Sequence, residues 1–261
     1  SSSAASDVYK RQRLHHGRHG IVLVIINGGL ASFNVKPQLS GLLLNPFTAR
    51  ARWPVVVSVT KTVFETDVAS HDVAVPATLS GDLLLVIMTT DSTATITTPA
   101  GYTSLYTTTV SGAVRGSAYA SVSAGTAAGT VDFVTSSAKT MVAHVYLIRM
   151  WYGLVANVVA ATPVDQVSGG GVTVTPPSLA PSFGIGNHLW FTAVHTSATA
   201  MTVSAYPSGF TGQEFSTSGS GPTHSQLASC RMAARRASMS PGAFTVSNIS
   251  MIAGTICVRG L

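Results

Sequence analysis

Charge is what this chain has least of. Only 9% of its 261 residues are Asp, Glu, Lys or Arg, against roughly 25% in an average soluble domain. Such a surface must be covered by Ser, Thr, Asn, Gly and Ala. That suits β-sheets and extracellular or particle-bound proteins, and argues against a cytosolic enzyme kept soluble by charge. Cysteine is scarce too. Cys230 and Cys257 are too few for a disulfide framework or a metal site, so both read as buried thiols in strands, with a single cross-strand bridge as the alternative. No apolar run approaches the roughly 20 residues of a membrane-spanning helix. No segment shows the i, i+3, i+4, i+7 spacing of a long amphipathic helix.

The residues of catalysis are missing as a constellation. Nine acidic residues leave few pairs for glycosidase-type acid and base work, and Asp165 and Glu214 fall in expected loops. There is no Gly-x-Ser-x-Gly elbow, Walker loop or His-Glu-x-x-His helix. Ser225 beside His224 lies in a Ser/Gly-rich stretch that reads as a turn. His144, His188 and His195 sit among apolar neighbours as hydrogen-bonded core or groove histidines; a metal cluster would need the fold to gather them. His15, His16 and His19 lack a nearby carboxylate or thiol and read as a solvated arm. The chain is therefore read as non-enzymatic, with no catalytic, cofactor or metal residue assigned.

A formal charge of +6 suggests nucleic acid, but position weakens that reading. From Trp53 onward there are eight basic and eight acidic residues. The excess lies in the leader, so nucleic acid is an unlikely partner on composition.

What is present is a pattern. Gly81-Asp82-Leu83-Leu84-Leu85-Val86-Ile87-Met88 opens one stretch, Pro99-Ala100-Gly101-Tyr102 turns it, and Tyr146-Leu147-Ile148-Arg149 closes it. Gly186-Asn187-His188-Leu189-Trp190-Phe191, Pro207-Ser208-Gly209-Phe210 and Ile256-Cys257-Val258-Arg259 follow in the same order. Pro207 lies 108 residues after Pro99, and Arg259 lies 110 after Arg149. Recurrence at a nearly constant offset argues for two related halves, and pairs Asp82 with Asn187 as turn residues. Short alternating segments divided by Gly, Pro and Ser-Thr turns predict strands throughout, with residues 83–89 central because they are apolar on both faces.

The expected fold is all-β: an antiparallel β-sandwich or jelly roll with an internal two-fold repeat and an extended N-terminal arm. The arm covers residues 1–54 and the body 55–261, in halves of about 55–150 and 151–261. One domain with interleaved halves is favoured over two tandem sandwiches, because no linker composition separates them. In the arm, residues 21–26 are expected to form a strand before the Asn27-Gly28-Gly29 turn.

Candidate contacts follow from exposure and chemistry. Tyr102, Tyr106, Tyr206 and Phe210 lie at or after the Pro-x-Gly turns, where aromatics either stack a sugar or plug the end of a sheet. Arg231, Arg235 and Arg236 form the body's basic cluster, suited to nucleic acid, an acidic glycan or a neighbour's carboxylates.

Residues 1–12, SSSAASDVYKRQ, resemble the translated sequencing-adaptor remnant found at the ends of environmental assemblies. That implies a metagenomic source, non-native residues, and a natural N-terminus that is missing. The Gly-Asp-Leu-Leu start, the Pro-Ala-Gly-Tyr turn and the closing strand to Arg149 are similar to β-sandwich domains of phage tail-fibre and other virion proteins. The resemblance spans about residues 55–149, more loosely the second half, and defines no site residue. It implies a virion or extracellular structural protein (fibre, decoration or capsid component) that assembles with itself and other virion proteins by arm exchange and sheet packing. A host-surface glycan is a further possible partner under this reading. The alternatives are a secreted carbohydrate-binding module and an RNA-packaging jelly-roll capsid protein.

Overall fold

The computed structural model describes residues 23–26, 29–32, 52–110, 113–167, 173–197, 201–218, 224–247 and 250–261. The adaptor-like residues, the histidines at 15, 16 and 19, the segments at 33–46, the glycines at 169–171 and most of the Ser/Gly loop before Ser225 lie outside them. The chain divides into two units, 1–50 and 51–261. In the first, β1 (Leu23–Ile26) pairs antiparallel with β2 (Gly29–Ser32).

The second unit begins with β3 (Val55–Val75), β4 (Ser80–Thr90), β5 (Ile96–Thr97), β6 (Thr103–Val110), β7 (Val114–Ala124) and β8 (Gly129–Arg149). Next come β9 (Val158–Ala160), β10 (Val164–Val167), β11 (Thr173–Val174), β12 (Gly186–Thr196) and β13 (Val203–Ala205). It ends with β14 (Thr211–Thr217), β15 (Gln226–Arg236), β16 (Phe244–Val246) and β17 (Ser250–Arg259). Among the described residues there is no α-helix, only a 3-10 turn at Val155–Asn157. One antiparallel sheet has the order β3-β8-β4-β7-β6 with β5 on β8; a second has β10-β17-β12-β15-β14 with β9 on β17. A three-stranded sheet runs β11-β16-β13. The all-β sandwich expected from the sequence is therefore present.

Its layering follows from the two-residue period of a strand. Leu83, Leu85 and Ile87 of β4 face one way and join Leu189, Phe191 and Ala193 of β12 in a central core. Leu84, Val86 and Met88 face the other way, into an outer core with Val73, Val75 and Phe133. Trp190 and Val194 of β12 point into a third core with Val174, Phe244 and Val246. A strand apolar on both faces needs cover on both sides, and each sheet obtains it differently. On the first sheet, register shifts at Phe64, Val68 and Ser70 divide β3 into two paired stretches. The far part of β3 and β8, with β5, supplies the outer cover. On the second sheet the separate strands β11, β16 and β13 do this work.

The two halves thus share one strand order, each completing its own small sandwich, and they meet back to back over the central core. Among the described residues, no strand of one half enters the other's large sheet. The two large sheets face each other over the central core, and residues 51–261 form one compact unit. Leu83 and Leu189 both face the central core, which sets Asp82, beside Arg149, and His188, paired with Arg259, in like places of the two sheets.

Phe191 is fully buried at the junction, its ring 4.8 Å from that of Tyr146. Phe191→Ala should cost about 3–5 kcal/mol in chemical denaturation. Because the core is shared, the body should still unfold in one transition. A loss below about 1 kcal/mol, or separate transitions for the halves, would contradict the shared core.

Candidate functional site

A polar seam crosses the central core. Each inner face carries a few hydroxyls and one imidazole among its apolar side chains, and burial obliges them to find one another. His195 of β12 has Nδ1 at 2.8 Å from Thr89 Oγ1 and Nε2 at 2.9 Å from Tyr106 Oη. His144 of β8 has Nδ1 at 2.7 Å from Ser229 Oγ and Nε2 at 3.0 Å from Ser216 Oγ; Tyr146 Oη lies 2.6 Å from the same Ser229 oxygen. Thr140 and Ser225 join their hydroxyls at 3.0 Å. Every one of these bonds links the first half to the second.

The seam is tightly fitted. A Cβ on Gly116 would stand 2.7 Å from the His195 ring, and one on Gly254 would stand 2.9 Å from the Tyr106 ring. Both glycines are there because the rings occupy the space a side chain would need.

Burial sets the chemistry. Desolvation, with small contributions from Lys61 and His195, pushes His144 down to about 3; desolvation does the same to His195. Both are neutral imidazoles that donate through one nitrogen and accept through the other. A serine next to a histidine has the spacing of a nucleophile and base. Here, however, Ser229 and His144 are fully buried and the imidazole's second nitrogen is held by Ser216. The arrangement clamps the halves together. At its edge Lys61 Nζ donates to Glu214 Oε2 at 3.0 Å.

The sequence-nominated aromatics pack inward. Tyr106 and Phe210 are buried in the central and second-half cores. Tyr102 lies edge-on to Phe133, and Tyr206 to Phe244. Burial pushes the hydroxyls of Tyr102 and Tyr206 up to about 12. Cys230 and Cys257 are free, buried thiols, with Cys230 pushed up to about 12 by desolvation. Among the described residues no group of three or more His, Cys, Asp or Glu is placed to hold a metal. An open groove of about 520 Å³ beside β6 and β9 is lined by Thr103, Ser104, Leu105 and residues of 155–160, without a titratable side chain.

The three nominated arginines separate. Arg231 lies partly buried along β15, its Nη1 donating to the Gly212 carbonyl at 3.4 Å. Arg235 and Arg236 are exposed where β15 ends, opposite Asn187 and Gly186. The fold instead brings those two to the end of the sandwich that holds Arg52, Arg149 and Arg259. Arg52 N donates to the Leu261 carbonyl, and Tyr152 N to that of Arg259. Arg149 is neutralised by Asp82, to which its Nε donates at 2.9 Å and its Nη2 at 3.0 Å. Arg259 has His188 opposite it and no carboxylate partner among the described residues; it lies 3.9 Å over the Tyr152 ring and donates to Asn157 Oδ1 at 3.1 Å. Burial, then Arg259's charge, holds His188 below its ordinary pKa despite the bond to the Gly184 carbonyl. Sequence reading missed this group because its members come from positions 52 to 259.

No protein-family model, no curated protein and no solved structure matches this chain.

The seam makes a signed pH prediction. The folded pKa values of His144 and His195 lie below the ordinary 6.5, so the unfolded chain binds more protons between them. Their contribution is complete above about pH 6.5 and is lost as pH falls toward 3, at about 1.4 kcal/mol per pH unit for each histidine. His195→Asn should lower stability overall but flatten that slope by about one histidine's share. Equal slopes in denaturation series across this window would refute the assignment. Gly116→Ala should destabilise the body by displacing the His195 ring, read as a lower unfolding midpoint; an unchanged midpoint would show that the ring is not held.

Proposed function

We propose that this chain is a non-enzymatic structural protein of a phage or virus-like particle, a fibre, decoration or capsid component, working in the virion or outside the cell. It assembles with copies of itself and with neighbouring particle proteins through strand edges and sheet faces. The observation that carries this reading is the free edge of β3. That strand runs 21 residues and pairs only with β8 among the described residues. It exposes Val55, Val57 and Val63 at 45%, 47% and 37%. A long edge whose exposed side chains include three valines is a template for pairing with another chain. The residue beside it, Trp53, is exposed as well. Low charge helps, since few solvated groups must be stripped when such an edge is covered.

The separate unit at 1–50 supplies the exchanged arm in this reading. Its β1–β2 hairpin is a preformed two-stranded element, and an isolated hairpin is marginal without a partner surface. The burial of Tyr106 and Phe210, and the packing of Tyr102 and Tyr206, favour assembly over sugar stacking by those loops.

The test is the mass of the full chain in solution by light scattering across a concentration series. A defined oligomer or filament is expected. Val57→Lys places a charge on the exposed edge without entering a core, and should shift the chain toward monomer with the unfolding midpoint unchanged. A monomer at every concentration, or an oligomer indifferent to this substitution, would overturn edge pairing.

A further inference from the structure

We infer that the arginine-rich end of the sandwich is a docking face for an anionic lipid surface. The two sheets run in step: Thr89 and His195, near the far ends of β4 and β12, touch. At the near end Gly260 packs against the carbonyls of Arg52 and Asn187. The near ends of both halves therefore form one surface, made by the segments that precede β3, β4 and β12 and follow β8, β15 and β17.

Its charge is one-sided. Arg52, Arg149, Arg235, Arg236 and Arg259 stand there with a single acid, Asp82, which is engaged by Arg149. The rest of the body carries four cations and seven acids. A near-neutral body has thus been sorted into a positive end and a negative remainder. Neither Arg235 nor Arg236 joins an ion pair among the described residues.

The same end bears aliphatic side chains in water. Leu79, Met150, Leu154, Ile185 and Leu261 are between 49% and 63% exposed. Leu79 and Ile185 hold matching places, three residues before Asp82 and three before His188. Trp53 and Tyr152 accompany them at 38% and 44%. Protruding aliphatics among unpaired arginines are the composition of a surface that enters a headgroup layer: the apolar tips reach the acyl boundary while guanidinium groups take lipid phosphates.

Other occupants use only part of this surface. A nucleic acid or acidic glycan would satisfy the arginines and leave the aliphatics wet. Ring stacking of a sugar is hindered at Tyr152, whose face Arg259 covers. The same end of a second copy would bring two sets of arginines together. An anionic bilayer satisfies both components, each arginine near it adding roughly fivefold to binding.

The experiment is co-sedimentation of the full chain with vesicles of phosphatidylcholine alone, or with about a third phosphatidylglycerol. Binding to the anionic vesicles and not to the neutral ones is expected. The exposed pair Arg235→Glu with Arg236→Glu should lose about tenfold or more of it. Leu154→Ser with Ile185→Ser should weaken it severalfold, with unfolding midpoints unchanged in both variants. Three outcomes overturn the inference: no binding to anionic vesicles, binding indifferent to the arginine pair, or binding indifferent to the serine pair. The last, with full competition by RNA or heparin, would identify a polyanion site instead. None of these readouts depends on self-assembly, so the docking face and edge pairing can fail separately.

Discussion

The structure depends on one constraint: the central strands of both halves are apolar on both faces. A sheet built around β4 or β12 cannot leave either side in water, and the strands of its own half cover one of them. Each half closes one face with its own strands, by bending β3 and β8 or by adding β11, β13 and β16. The remaining face is closed only by the other half. Two incomplete sandwiches become one body because each is the other's missing layer.

The polar seam refines that union. An apolar junction alone would tolerate sliding, since dispersion and desolvation have little direction. Two neutral imidazoles, each using both nitrogens across the junction, fix the register of one sheet on the other. Unmaking a bond would leave a buried polar atom without a partner, which is costly. The same burial that makes the seam specific makes it sensitive to acid. The two glycines opposite the rings show that side chains were given up to seat them.

Much of the fold was legible in the sequence, and the limits have physical causes. The run from Leu83 to Met88 announced a central strand, because six consecutive apolar residues fit a strand buried on both faces. The body's longer strands, such as β6, β7 and β14, stood out by turn chemistry. Strands of two to four residues, such as β5, β9 and β10, carry too few alternations to be distinguished from loop. The alternation of residues 55–62 and that of 70–75 belong to one strand, since a strand that bends through bulges loses its period at the bend. The functional surface was least legible. Arg231, Arg235 and Arg236 looked like a cluster by spacing, yet Arg231 lies down the strand against Gly212. Their partners Arg52 and Arg259 lie far away in sequence, and only the in-step alignment of the two sheets assembles them.

The central claim is that the halves are held as one by the core between them, and hydrogen exchange of the full chain tests it most directly. The account predicts that the most protected amides of β4 and β8 and those of β12 and β17 open together, with one free energy equal to that of global unfolding. Exchange from one half at a distinctly lower free energy, with the other still protected, would show that each sandwich stands alone and that the shared core does not bind them.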